Sequence, residues 1–236
     1  MLRFARLLPV LTALLLIACG GSDVERPAIP TGADPLAWAS DIERFEELDA
    51  QRSAIPNSVV FVGSSSIRRW DTLVRDMAPM TVIKRGFGGS RLFDAIYWAD
   101  VLVTRHDPAA IVMFSGSNDL ARPKPKSALE VAQLFGQFVA RVRELGCDAP
   151  IAYIAITPTP ARIEFLADVL EANRLIREMC ANDESLQFVD TAPGFLDPRG
   201  QPEPSLFVED GLHLNPNGYA FWTARLRPVL ETWIQG

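Results

Sequence analysis

Five short apolar runs punctuate the chain: SVVFV at 58–62, TVIK at 81–84, AIVMFS at 110–115, IAYIAI at 151–156 and LQFV at 186–189. Apolar runs of this length with no polar alternation read as strands buried on both faces. Helical patterns separate most of them. Asp34-Pro35 offers a cap and a first position, with Trp38, Ile42 and Phe45 following at i, i+4 and i+7. SALE at 127–130 has the form of a capping box, and Val131, Leu134, Phe135, Phe138, Val142 and Leu145 then form one stripe ending at Gly146. Leu166, Val169, Leu170, Asn173, Ile176 and Cys180 form another. Asn215-Pro216 opens a last helix with Tyr219, Trp222 and Leu226 facing inward and a kink expected at Pro228. Strands alternating with helices predict a parallel sheet covered on both faces, a three-layer α/β/α sandwich with five strands. With 236 residues, 48% of them hydrophobic, the chain can bury one such core, placed here at 35–236.

The first 18 residues read differently. A basic start (Arg3, Arg6), a short apolar stretch and small residues make a secretory signal, too brief for an ordinary membrane-spanning helix. Its end, Leu16-Ile17-Ala18-Cys19, resembles the lipobox of bacterial lipoproteins, which implies lipidation of Cys19 and anchoring in the cell envelope. Gly20 in place of Asp implies export to the outer membrane, facing the periplasm. Residues 20–34 are rich in Gly, Pro and charge and have no apolar period, so 19–34 is expected to be a lipidated, flexible tether. In an oxidising compartment Cys147 and Cys180 can form a disulfide, since they fall at the same pole of a strand–helix–strand unit; two separate buried thiols are the alternative.

Net charge is −6 and no Lys/Arg cluster stands out, which argues against nucleic-acid binding. Two distant histidines and no cysteine cluster leave no metal-ligand set, and no cofactor motif is complete. RGFGGSRL lacks the third glycine of a dinucleotide loop, Arg91 standing in its place.

Ligands in such sheets bind outside the carboxyl ends of the strands. The chain places Gly63-Ser64-Ser65-Ser66 after the first strand, Gly86, Gly88, Gly89 and Ser90 after the second, and Gly116-Ser117-Asn118-Asp119 after the third. Asp210-Gly211-Leu212-His213 precedes the last helix. Each segment alone reads as a turn or cap; together at one pole they fit acyl transfer. A serine needs a base, and the base needs an orienting partner. His106 precedes the third strand, at the opposite pole, where it reads as a surface or turn residue; His213 is therefore the candidate base and Asp210 its partner. A glycine N–H and an asparagine amide can receive the developing oxyanion.

In their order, these four segments resemble the blocks of the SGNH (GDSL-type) hydrolases, over the whole of 36–236. The resemblance implies a flavodoxin-like fold and a carboxylic ester hydrolase with Ser65 as nucleophile. It also implies an oxyanion hole made by the N–H groups of Ser65 and Gly89 and the amide of Asn118. The family's usual GDS is here GSS, with Ser64 replacing the Asp, and Ser66 is the rival hydroxyl. The α/β-hydrolase elbow fits worse, because Ile67 stands where its second glycine is needed. Trp70, Phe87, Arg91, Phe93, Pro158, Pro160 and Arg162 are expected to border the site or to serve packing. The expected substrate is a small-molecule or glycan ester carrying a short acyl group. A non-catalytic glycan- or lipid-binding protein and an acyltransferase are the alternatives. Acyl length, alcohol and oligomeric state are not legible.

Overall fold

The computed structural model describes residues 25–234 apart from 52–54, 56, 122 and 124. The signal segment, Cys19 and the first part of the tether lie outside the described residues. The five apolar runs become β1 (Val59–Gly63), β2 (Val82–Gly86), β3 (Ala110–Phe114), β4 (Ile151–Ile154) and β5 (Leu186–Val189). They form one all-parallel sheet in the order β2-β1-β3-β4-β5. The chain steps from β1 outward to β2, then returns across β1 to build the other half. The order therefore reverses between β1 and β3, and the crevice at their carboxyl ends is the switch point where such sheets bind ligands.

Side chains of a strand alternate between faces, and the core divides accordingly. Val60, Val62, Ile111, Met113, Ile151 and Tyr153 pack on one side, under α1 (Ala39–Ala50), α4 (Leu92–Tyr97), α5 (Ala99–Leu102), α6 (Ala128–Glu144) and α7 (Leu166–Ala181). Val59, Phe61, Val112, Phe114 and Ile154 pack on the other, with α2 (Ser65–Arg68), α3 (Leu73–Met77) and α8 (Pro216–Ile234). There Trp222 meets Phe114 at 4.5 Å and Trp70 at 5.7 Å between ring centroids.

Local chemistry sets the helix ends. The capping box forms at Ser127: Glu130 N–H donates to its hydroxyl at 3.3 Å, and its own N–H donates to the Glu130 carboxylate at 2.8 Å. Asn173 interrupts the apolar stripe of α7 for a reason. Its amide accepts from Ile156 N–H and donates to Ile156 C=O, both at 2.8 Å, satisfying backbone just past the end of β4. Leu170, one residue out of phase with Val169 and Asn173, is 43% exposed rather than inward. Asn215 caps α8 by accepting from the N–H groups of Asn217 and Gly218, and the helix continues through Pro228 as one element.

Other expectations are narrowed or changed. Asp34 does not cap α1; a 3-10 turn over Pro35–Trp38 leads into it. The tether is not free from residue 25 onward. Arg26 donates to Asp100 at 3.3 and 2.8 Å and lies 4.1 Å over the Trp98 ring, while Glu25 C=O accepts from Arg141 at 3.0 Å. Cys147 and Cys180 are separate buried thiols, since sharing a pole does not bring two Cβ atoms to the separation of about 4 Å a disulfide requires. His106 does sit in a turn before β3, the 3-10 turn Thr104–His106, but its side chain is only 9% exposed, against Arg85 and Asp49, and burial together with the Arg85 charge pushes it down to about 4.

One glycine fixes where α2 sits, and its register partner lets β1 close on β3. Gly63 and Gly86 are register partners at the exits of β1 and β2. A Cβ on Gly63 would fall 2.1 Å from Phe114 O, and one on Gly86 would fall 2.2 Å from Arg68 N. The backbone of α2 thus rests on hydrogen atoms. Gly86→Ala should push α2 off the sheet edge and cost about 1–3 kcal/mol, as overpacking does, read as a lower denaturant midpoint. An unchanged midpoint would show that α2 does not press on Gly86.

Candidate active site

Ser65 is the first residue of α2, delivered to the switch point by the end of β1. Its hydroxyl lies 2.9 Å from His213 Nε2, and His213 Nδ1 lies 2.6 Å from Asp210 Oδ2. Asp210 Oδ1 also accepts from the backbone N–H groups of Leu212 and His213, each at 2.9 Å. The turn is tight because Gly211 adopts φ +61°. It is closed by Gly211 N–H donating to Val208 O and Val208 N–H to His213 O. It is also tied to the exit of β4, where Ala161 N–H donates to Gly211 O at 3.0 Å. The carboxylate claims the Nδ1 proton, which leaves Nε2 of a neutral imidazole able to accept from the Ser65 hydroxyl.

Burial pushes the Asp210 carboxyl up, but the hydrogen bonds from His213 and Leu212 outweigh it and hold the group at about 2. It is an anion throughout the neutral range. It is Ser65 rather than Ser66 that meets the imidazole; Ser66 is 8% exposed, and its carbonyl accepts from the Tyr219 hydroxyl at 2.8 Å, which fastens α2 to α8.

Asn118 stands at the exit of β3. Its amide nitrogen donates to Ser90 O at 3.0 Å, and its amide oxygen accepts from Arg162 at 2.9 Å. Gly89 precedes Ser90 in a turn closed by Ser90 N–H donating to Phe87 O, at φ +84°. Ser65, Asn118, Thr157, Thr159, Arg162 and Leu212 are among the residues around a cavity of about 20 Å³. Ser65, His213 and Asp210 thus stand in contact, Asn118 borders the same cavity, and the Gly89 turn meets Asn118 at Ser90 O.

Of the residues expected to border the crevice, Pro158 and Arg162 line cavities there. Trp70, Phe87 and Phe93 are core instead, at 0%, 0% and 9% exposure. Asp119, given no role by its place in the loop after β3, acts between loops. It is fully buried, accepts from Leu92 N–H at 3.1 Å and so ties the loop after β2 to the loop after β3. Burial pushes it up to about 7, and Asp94 beside it to about 6.

Residues 57–221 match the model of the GDSL-like lipase/acylhydrolase family. Among solved structures, a GDSL-like lipase from Bacteroides thetaiotaomicron is similar at a TM-score of 0.69 and 18% identity, over 81% of this chain and 97% of that one. A lipase/acylhydrolase from Enterococcus faecalis is similar at 0.60 and 17%, over 75% and 96%. A carbohydrate esterase family 3 protein from Talaromyces cellulolyticus is similar at 0.59 and 15%, over 75% and 98%. No curated protein matches the chain.

The buried Asp119 has a consequence for stability. With its folded value near 7 and an ordinary value of 3.8 when unfolded, only the folded state keeps the proton between those limits. Wild-type stability should therefore fall as pH rises through that window, relative to a variant that does not titrate there. Asp119→Asn should gain on wild type from pH 4 to pH 8 in urea midpoints. A difference that stays constant with pH would show that Asp119 is not buried as the acid.

Proposed function

The chain belongs to the GDSL-like lipase/acylhydrolase family, and from that membership we propose that it is a serine esterase acting on short O-acyl esters, acetyl groups on carbohydrate foremost. The observation that carries the reading is the continuous set of contacts from Ser65 through His213 to Asp210. Ser65 Oγ attacks the ester carbonyl as His213 Nε2 takes its proton, and Asp210 stabilises the imidazolium. The carbonyl oxygen becomes an oxyanion received by Ser65 N–H, Gly89 N–H and the Asn118 amide. Collapse breaks the bond to the alcohol, which leaves with the proton held by His213. Water, deprotonated by the same imidazole, then attacks the acyl-enzyme and releases the acid and Ser65.

The small acyl group is supported by the cavity of about 20 Å³ beside Ser65, which has room for about one water-sized group. The sugar alcohol is supported by the fold's likeness to a carbohydrate esterase. The secretory signal and the Cys19 lipobox support export and lipid anchoring on the periplasmic face of the outer membrane.

The test is hydrolysis of p-nitrophenyl acetate, butyrate and octanoate, with acetate release from acetylated xylo-oligosaccharides. Turnover should be highest for acetate and vanish in Ser65→Ala. Equal rates in wild type and Ser65→Ala would discard the serine mechanism, and a preference for octanoate would discard the small acyl pocket. Asn118→Ala should lower kcat by roughly 10²–10³; undiminished kcat would remove Asn118 from the oxyanion hole.

A further inference from the structure

The two proposed oxyanion donors outside α2 share a feature. Each is a rigid amide held from behind, at its oxygen, by one long side chain. Trp38 Nε1–H donates to Gly88 O at 2.9 Å, and the Arg162 guanidinium donates to Asn118 Oδ1 at 2.9 Å. We propose that Trp38 and Arg162 are positioning residues that aim the Gly89 N–H and the Asn118 amide at the developing oxyanion. The proposal rests on the esterase reading above and adds to it how the donors are kept aimed.

Gly88 C=O and Gly89 N–H belong to one planar peptide unit and point in opposite directions. That unit is the centre of the Phe87–Ser90 turn, where φ +84° at Gly89 is the mark of type II. Turning the central peptide over converts type II into type I, and between two glycines no Cβ opposes the rotation. The sequence that permits close approach to substrate therefore also leaves the donor free to swing away. The indole hydrogen bond removes that freedom. Trp38 is itself fixed by the 3-10 turn Pro35–Trp38, whose Pro35 C=O accepts from Trp98 Nε1 at 2.9 Å. It lies before residue 57, where the family match begins, so this grip comes from the chain's own N-terminal segment.

Arg162 does the same for the side-chain donor. One of its nitrogens donates to Ser117 O and Ser117 Oγ at 2.8 and 2.6 Å, and the other to Asn118. A flipped Asn118 would set its NH₂ against the guanidinium and its oxygen against Ser90 O. Both contacts would repel, so only one amide orientation fits. Accepting a charged donor at oxygen also polarises the amide and strengthens its N–H as a donor. Trp38 and Arg162 bond the amide oxygens, not the N–H groups aimed at the oxyanion. Their effect belongs to the transition state rather than to substrate affinity.

The experiment uses Trp38→Phe, which keeps a ring and loses the donor, and Arg162→Met, which keeps length and loses the guanidinium. Each is made in wild type and in Asn118→Ala, and kcat, KM and the thermal midpoint are read on p-nitrophenyl acetate. Each single variant should lose about tenfold in kcat, the loss of roughly one hydrogen bond at the transition state, with KM and the midpoint little changed. In Asn118→Ala, Arg162→Met should cost nothing further, because its target is gone, whereas Trp38→Phe should keep its full effect through Gly89. Unchanged kcat in either single variant overturns the role of that residue. A rise in KM at constant kcat makes Arg162 a substrate contact instead. Loss of the Trp38 effect in Asn118→Ala detaches it from Gly89. Wild-type rates that survive Ser65→Ala would bring down the esterase reading itself, and the proposal with it, a result separable from all the others.

Discussion

The crevice depends on a contact in which no side chain takes part. The backbone of α2 lies directly on Gly86, where a single added carbon would fall 2.2 Å from Arg68 N. That contact lowers Ser65 into the plane where β1 and β3 part, within reach of a histidine more than a hundred residues further along the chain. From the other side, Tyr219 of α8 holds the carbonyl of Ser66. A helix of four residues cannot hold itself in place. Here the sheet edge below and α8 beside it do so.

Three carboxyl groups near the crevice are driven in opposite directions by their surroundings. Asp210 is partly exposed and receives several N–H donors, so it stays an anion that can stabilise a positive imidazole. Asp119 and Asp94 each accept one backbone N–H and meet little water, and burial raises both. The first serves charge; the other two serve as braces between loops. Residue type alone does not distinguish them, and solvent access does.

The sheet was legible because each strand is an uninterrupted apolar run bounded by turn residues, and the four loaded loops were legible because each follows a strand or opens a helix. Asp210 and His213 were paired by their spacing alone. What the sequence hid depends on distance through space. Trp38 read as one more inward residue of an amphipathic helix, since nothing local shows that its indole crosses to a turn fifty positions later. The turn at His106 was legible, but not how far Arg85 and Asp49, which come from other elements, cover its ring. Leu170 read as core because a stripe six residues long is wider than the face that packs.

Residues 25–34 read as spacer by composition, yet Glu25 and Arg26 lie against α5 and α6. For a chain fastened at Cys19, only five residues, 20–24, separate the attachment from the contact at Glu25. Five residues span at most about 17 Å, against roughly 50 Å for all fifteen of 20–34. Such a protein cannot search the depth of its compartment. So anchored, it would work at a set height above the surface holding it, on esters of molecules that come to, or grow from, that surface.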